Sequence, residues 1–186
     1  MTSGKPMRAD ARRSYERLLA AAAEVFAEQG TGGVLDDIAK RAGIGNATLY
    51  RHFPDRRDIV QALLAGRYDD LRTAAEGSLD APDPLAALAG WLRSFIAHVT
   101  TYRGLAASVL DATRDPETGL SASCQGMRDA AAKLLARAQG DAAIRPDLTI
   151  TELLCVTNGI AVAAEQRPQD TPRLLSLLIE GLQQHA

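Results

Sequence analysis

Along almost the whole chain apolar side chains recur every three or four positions, and no stretch sustains their alternation at every second residue. That spacing gathers them on one stripe of an α-helix and would scatter them over both faces of a strand. No hairpin built on Asn-Gly or Asp-Gly between alternating runs competes. Glycine-free runs rich in Ala and Leu, with only 4% aromatic residues, favour the same state. An all-α protein is expected, with about nine helices. At 186 residues it can bury a core without metal or disulfide staples.

Turn residues divide the expected helices. Residues 1–11 read as a flexible polar arm. A first helix is expected from Arg12 to Gln29, with Tyr15, Leu18, Leu19, Ala22, Val25 and Phe26 on one face and Gly30 after its end. A second is expected over Leu35–Ala42 and a third over Asn46–Phe53, separated by Gly43-Ile44-Gly45. Asp55 and Asp58 have the spacing of a capping box at the start of a fourth helix reaching Glu76. After a loop over Gly77–Pro84, helices are expected from Leu85, over Leu105–Leu110, over Ala122–Ala138 and from a Thr151 cap to before Pro168. Asp111–Gly119 reads as another loop, and Thr171, as cap, followed by Pro172 at the first helical position opens the last helix. The domain boundaries expected are 12–57 and 58–186.

Several function classes drop out. Cys124 and Cys155 are the only cysteines, without a CxxC or a Cys/His cluster, so no metal site and no cofactor is expected. His52, His98 and His185 form no triad spacing with acids or cysteines, and no HExxH, GxSxG or P-loop occurs, so the chain does not read as an enzyme. The most apolar stretch, Leu153–Ala164, is too short for a membrane span and is interrupted by Thr157, Asn158 and Gly159. With no signal peptide in the first twenty residues, a cytoplasmic protein with no membrane partner is expected.

Charge and pattern point elsewhere. Residues 1–57 carry a net charge of +3 and the rest −5, a basic head on an acidic body. Within the head, LDDIAKRAGIGNATLYRHF (Leu35–Phe53) reads as helix, glycine turn, helix. Leu49 and Phe53, four apart, turn inward. Asn46, Ala47, Thr48, Tyr50, Arg51 and His52 then face out, as a helix entering a major groove requires.

These residues resemble the TetR family of bacterial transcriptional regulators. The resemblance rests on Ile38-Ala39, Ala42-Gly43, Thr48-Leu49-Tyr50, His52-Phe53 and Arg56, with Phe26 and Gly30 of the first helix. It implies a recognition helix over Asn46–His52, with Thr48 and Tyr50 at phosphate or base edges and His52 beside the DNA backbone. Arg51 reaches either a guanine edge or a phosphate, and Arg56 replaces the family's usual lysine clamp. Arg12, Arg13, Arg17 and Arg57 are either flanking phosphate contacts or solvated surface. Where family members often have Ser or Thr before the second helix, this chain has Gly33 and Val34, and Gly45 carries no side chain ahead of the third.

For the body, the resemblance implies a homodimer built by the last two helices, with Leu153, Val156, Ile160, Leu174, Leu178 and Leu182 as candidate contacts. Trp91, Phe95, His98 and Tyr102 share one helical face, and Met127, Arg128 and Asn158 are candidates opposite them. They line a pocket for an unidentified small-molecule effector or form core. The expected function is a ligand-responsive repressor released from a palindromic operator in double-stranded DNA. The alternative is a small-molecule-binding helical dimer that has lost specific DNA binding.

Overall fold

The computed structural model describes residues 5–30, 32–101 and 119–183, and every regular element among them is helical. In chain order these are α1 (Lys5–Gln29), α2 (Leu35–Ala42), α3 (Asn46–His52), α4 (Arg56–Gly77), α5 (Pro84–Thr100), α6 (Gly119–Gly140), α7 (Ile150–Gln166), a 3₁₀ turn (Pro168–Asp170) and α8 (Thr171–Leu182). The expected helix over Leu105–Leu110 and the loop that follows lie outside the described residues, except for Gly119, which already begins α6. The chain divides into two compact units, Met1–Leu64 and Ala65–Ala186.

In the first unit α1 begins at Lys5, seven residues before the expected Arg12, so helix occupies most of the expected arm. Pro6 is tolerated in a first helical turn, and Met7, Arg8, Ala9 and Ala11 are good helix formers. Leu18, Ala22, Val25 and Phe26 of α1 are buried with Ile38, Ala39, Leu49 and Phe53. The α2–α3 turn is a Schellman motif. Gly43 is left-handed (φ 62°), its N–H reaches the Lys40 carbonyl at 3.1 Å, and the Ile44 N–H reaches the Ala39 carbonyl at 2.9 Å. The Arg17 guanidinium donates to the Ala42 carbonyl and stitches α1 to the end of α2. Arg41 does so a second time, through a fork onto Glu28 at 2.8 and 2.9 Å. Asp55 and Asp58 form the expected reciprocal cap at 3.0 and 3.1 Å.

In the second unit α5 packs on α6 and α7, and α7 on α8. Leu88, Leu92, Ile96, Met127, Leu134, Leu135, Leu153 and Leu175 fill the core. An isolated antiparallel bridge between Ile144 and Gln183 ties the α6–α7 turn to the end of α8. Two expected caps move. The cap of α7 is Thr149, in a full capping box with Glu152, while Thr151 is exposed inside the first turn. Glu152 stands three residues after Thr149, which is the spacing the box needs. For α8 the capping position is Asp170, and Thr171 is the first helical residue, ahead of Pro172.

Candidate nucleic-acid interface and ligand cleft

The recognition-helix candidate, α3, is only seven residues long, and one buried residue, Leu49, anchors it. Gly43 lets α3 turn away from α2 sharply enough for Leu49 and Phe53 to share the core with Ile38 and Phe26. Asn46, Ala47, Tyr50 and Arg51 are then exposed and Thr48 is half-buried. Tyr50 is 45% exposed, unusual for a large aromatic ring. The Arg51 guanidinium has no hydrogen-bond or ion-pair partner among the described residues. Asn46 donates from Nδ2 to Asp36 of α2 at 3.0 Å, which fixes the start of α3 against its partner helix.

His52 is placed differently from its neighbours. It is half-buried, its ring sits edge-on to Tyr15 at 6.1 Å, and its Nε2 is enclosed without a hydrogen-bond partner. Tyr15 also stacks on Phe53 at 5.1 Å, so an aromatic trio ties α1 to the end of α3. The other basic candidates divide. Arg56 and Arg57 are both exposed at the start of α4, and Arg57 pairs with Asp55 at 3.8 Å. Arg12 pairs with Glu16 at 2.9 Å and Arg13 with Asp10 at 3.7 Å, both on the surface. Arg17 is committed to Ala42.

The position ahead of α2 has a packing reason for its missing hydroxyl. A Cβ on Gly33 would lie 2.7 Å from a Val25 methyl carbon and 3.3 Å from the Phe26 ring, so no side chain fits there without movement. Val34 takes the capping position, makes no side-chain cap and is 54% exposed.

In the body two of the aromatic candidates, Trp91 and Phe95, are buried. They stack at 5.8 Å, and the Trp91 indole N–H donates to the Leu71 carbonyl at 2.9 Å. Met127 and Asn158 are buried as well. His98 is half-buried, with Nδ1 2.8 Å from the Ser94 carbonyl, and Arg128 donates to Thr151 at 2.7 Å. Tyr102 lies outside the described residues. Burial pushes the Cys124 thiol and the Tyr68 phenol up from their ordinary pKa values, so neither is a ready nucleophile. No group of three or more His, Cys, Asp or Glu converges among the described residues.

A cleft of about 450 Å³ opens instead between α5, α7 and the start of α8, lined by Arg93, Ile96, Ala97, Thr100, Ala164 and Glu165, among others. None of these residues stands out in the sequence, because a lone Glu near a helix end looks like solvated surface.

The dimer candidates also separate. Leu153 is 1% exposed and belongs to the interior of the protomer, whereas Val156 is 51% exposed. Ile160, Leu174, Leu178 and Leu182 are half-buried. Cys155, Val156, Gly159, Val162 and Ala163 form an exposed apolar stripe along α7.

Comparison with known proteins accounts for both units. Residues 18–63 match the family model described as "Bacterial regulatory proteins, tetR family". Residues 83–184 match "Transcriptional regulator SbtR-like, C-terminal domain". The structure superposes on the TetR transcriptional regulator SCO0520 from Streptomyces coelicolor with a TM-score of 0.69 and 32% identity, covering 92% of this chain and 99% of that one. The chain belongs to the TetR family.

A second TetR regulatory protein, from Mycobacterium vanbaalenii, aligns at 29% identity and TM-score 0.66, over 96% and 100% of the two chains. The uncharacterized regulator TtgW of Pseudomonas putida is 39% identical over 64 residues, 34% of this chain. That match covers 48% of TtgW, so this chain spans less than half of that curated relative. TetR-family regulators are transcription factors without catalytic activity, with a DNA-binding helix-turn-helix and a ligand-binding, homodimeric body. No helix among the described residues is long and apolar enough to cross a membrane.

Proposed function

We propose that this TetR-family chain is a cytoplasmic repressor that binds a palindromic operator as a homodimer and leaves it when a small molecule occupies the body. The observation that carries the DNA-binding part is the division of α3: Leu49 is buried while Asn46, Ala47, Tyr50 and Arg51 stand outward. A short helix so anchored presents side chains to the edges of a major groove. Tyr50 and Arg56 serve phosphates, and Arg51 reads a base edge.

The homodimer rests on the exposed apolar stripe of α7. Two heads related by a two-fold axis read half-sites roughly 34–36 Å apart or a multiple of that. Effector and operator then oppose each other by the same factor in both directions. One observation favours the alternative of a dimer without specific DNA binding: neither Val34 nor Gly45 supplies a side-chain cap or contact ahead of α2 and α3.

Selection of bound sequences from a random double-stranded DNA pool, near 0.15 M salt, tests the reading. An enriched inverted repeat is expected. No enrichment, from protein that is folded and dimeric, would overturn the operator in favour of the ligand-only dimer.

A further inference from the structure

The cleft between α5, α7 and α8 is built almost entirely of apolar groups and hydrogen-bond acceptors. Ile96, Ala97 and Ala164 give it apolar walls. The Thr100 hydroxyl already donates to the Ile96 carbonyl at 2.9 Å, so toward the cleft it offers lone pairs. Glu165 is half-buried, and its Oε1 is shut from water with no hydrogen-bond partner. A carboxylate oxygen in that state is costly to the protein, because desolvation is uncompensated. Arg93 lines the same cleft but is exposed and keeps its hydration, and it forms no ion pair with Glu165 among the described residues. The unsatisfied charge is therefore negative.

We propose that this cleft binds an amphipathic organic cation, a protonated amine whose N–H groups meet the Thr100 oxygen and the Glu165 carboxylate once it turns from its enclosed position toward the cleft, while its hydrocarbon part lies on Ile96, Ala97 and Ala164. The volume of about 450 Å³ is that of a site for a small drug-sized molecule. Carboxylates and neutral alcohols are discriminated against, the first by like charge and the second by offering the Glu165 carboxylate only an uncharged donor. The inference rests on the reading of this chain as a ligand-responsive regulator, for which it names the chemical class of the effector.

Calorimetric titration of the full chain with 4-phenylbutylamine, 4-phenylbutan-1-ol and 4-phenylbutanoate, without DNA, tests the site. The amine is expected to bind at least roughly tenfold tighter than the alcohol, as one charge-assisted hydrogen bond implies. Glu165→Gln is expected to erase that preference without lowering the melting temperature. Ala97→Trp, which fills the cleft from an exposed position, is expected to abolish binding of all three compounds. Equal binding of amine and alcohol, tighter binding of the acid, or an amine preference that survives Glu165→Gln would each overturn the proposal. Amine binding that leaves occupancy of a selected operator unchanged would uphold the cation site and overturn the regulatory reading instead.

Discussion

On α3 the face turned away from the core carries an amide, a phenol and a guanidinium, from Asn46, Tyr50 and Arg51. On α7 the corresponding face carries Cys155, Val156, Gly159, Val162 and Ala163, with hardly a polar atom among them. Both helices bury one side by the same rule of spacing, so burial does not distinguish them. The chemistry of the exposed side does. Polar groups held on a rigid helix lose little by meeting a hydrated, charged duplex. A small-residue apolar stripe in water is relieved only by another apolar surface, and its lack of bulk allows close helix approach. The exposed face of α3 is thus suited to nucleic acid and that of α7 to an apolar partner, the role proposed here for a second copy.

The sharpest way to separate the two is to remove a core ring from one. Phe26→Ala is expected to cost about 3–5 kcal/mol in the first unit, read by urea unfolding. Operator binding should vanish while sedimentation still shows a dimer. Loss of the dimer as well would mean that the two surfaces are not independent.

Next comes the α7 stripe. Glutamates at Val156 and Val162 would set charges into a dry interface, weakening the dimer by at least about 3 kcal/mol in sedimentation equilibrium. An unchanged dissociation constant would remove α7 from the interface.

Arg51→Ala should cost about 1–3 kcal/mol of operator binding and relax preference at one base position of each half-site. Tyr50→Phe should cost less, about 0.5–1.5 kcal/mol, spread evenly over all sequences. A uniform loss for Arg51→Ala would reduce it to a phosphate contact.

The smallest effect concerns the α7 cap. The Thr149 hydroxyl and backbone N–H hold the Glu152 carboxyl below its ordinary pKa. A lowered folded-state pKa stabilises above the unfolded value, and that contribution fades as pH falls through the usual glutamate range and below. Thr149→Ala should lower the urea midpoint at pH 7 and flatten its decline toward pH 3. An unaltered pH profile would mean that the box contributes nothing.

The same contrast explains what could be read from residues alone. In the first unit the signals are local. Gly43 fixes the turn, Asp55 and Asp58 stand three apart, and α2 runs over the expected Leu35–Ala42. In the body they are not. Trp91 and Phe95 at helical spacing suit a pocket wall or a core equally. Their burial, and the bond from Trp91 to a carbonyl twenty residues away, are invisible to spacing. Glu165 is likewise an unremarkable charge until the fold shuts one of its oxygens from water beside a cleft. Thr149 and Thr151 are two residues apart, and only attention to Glu152 separates them.

Arg137 carries a practical consequence. Its guanidinium donates to the Leu79 carbonyl and, at 3.1 Å, to that of Ala81, while the Asp83 side chain caps α5 by accepting from the Ala86 N–H at 2.9 Å. By composition, Gly77–Pro84 is where an engineer would insert an epitope tag and where a protease would be expected to nick. Clamped on both sides, it should resist cleavage next to Asp80 and tolerate insertions poorly until Arg137 is replaced.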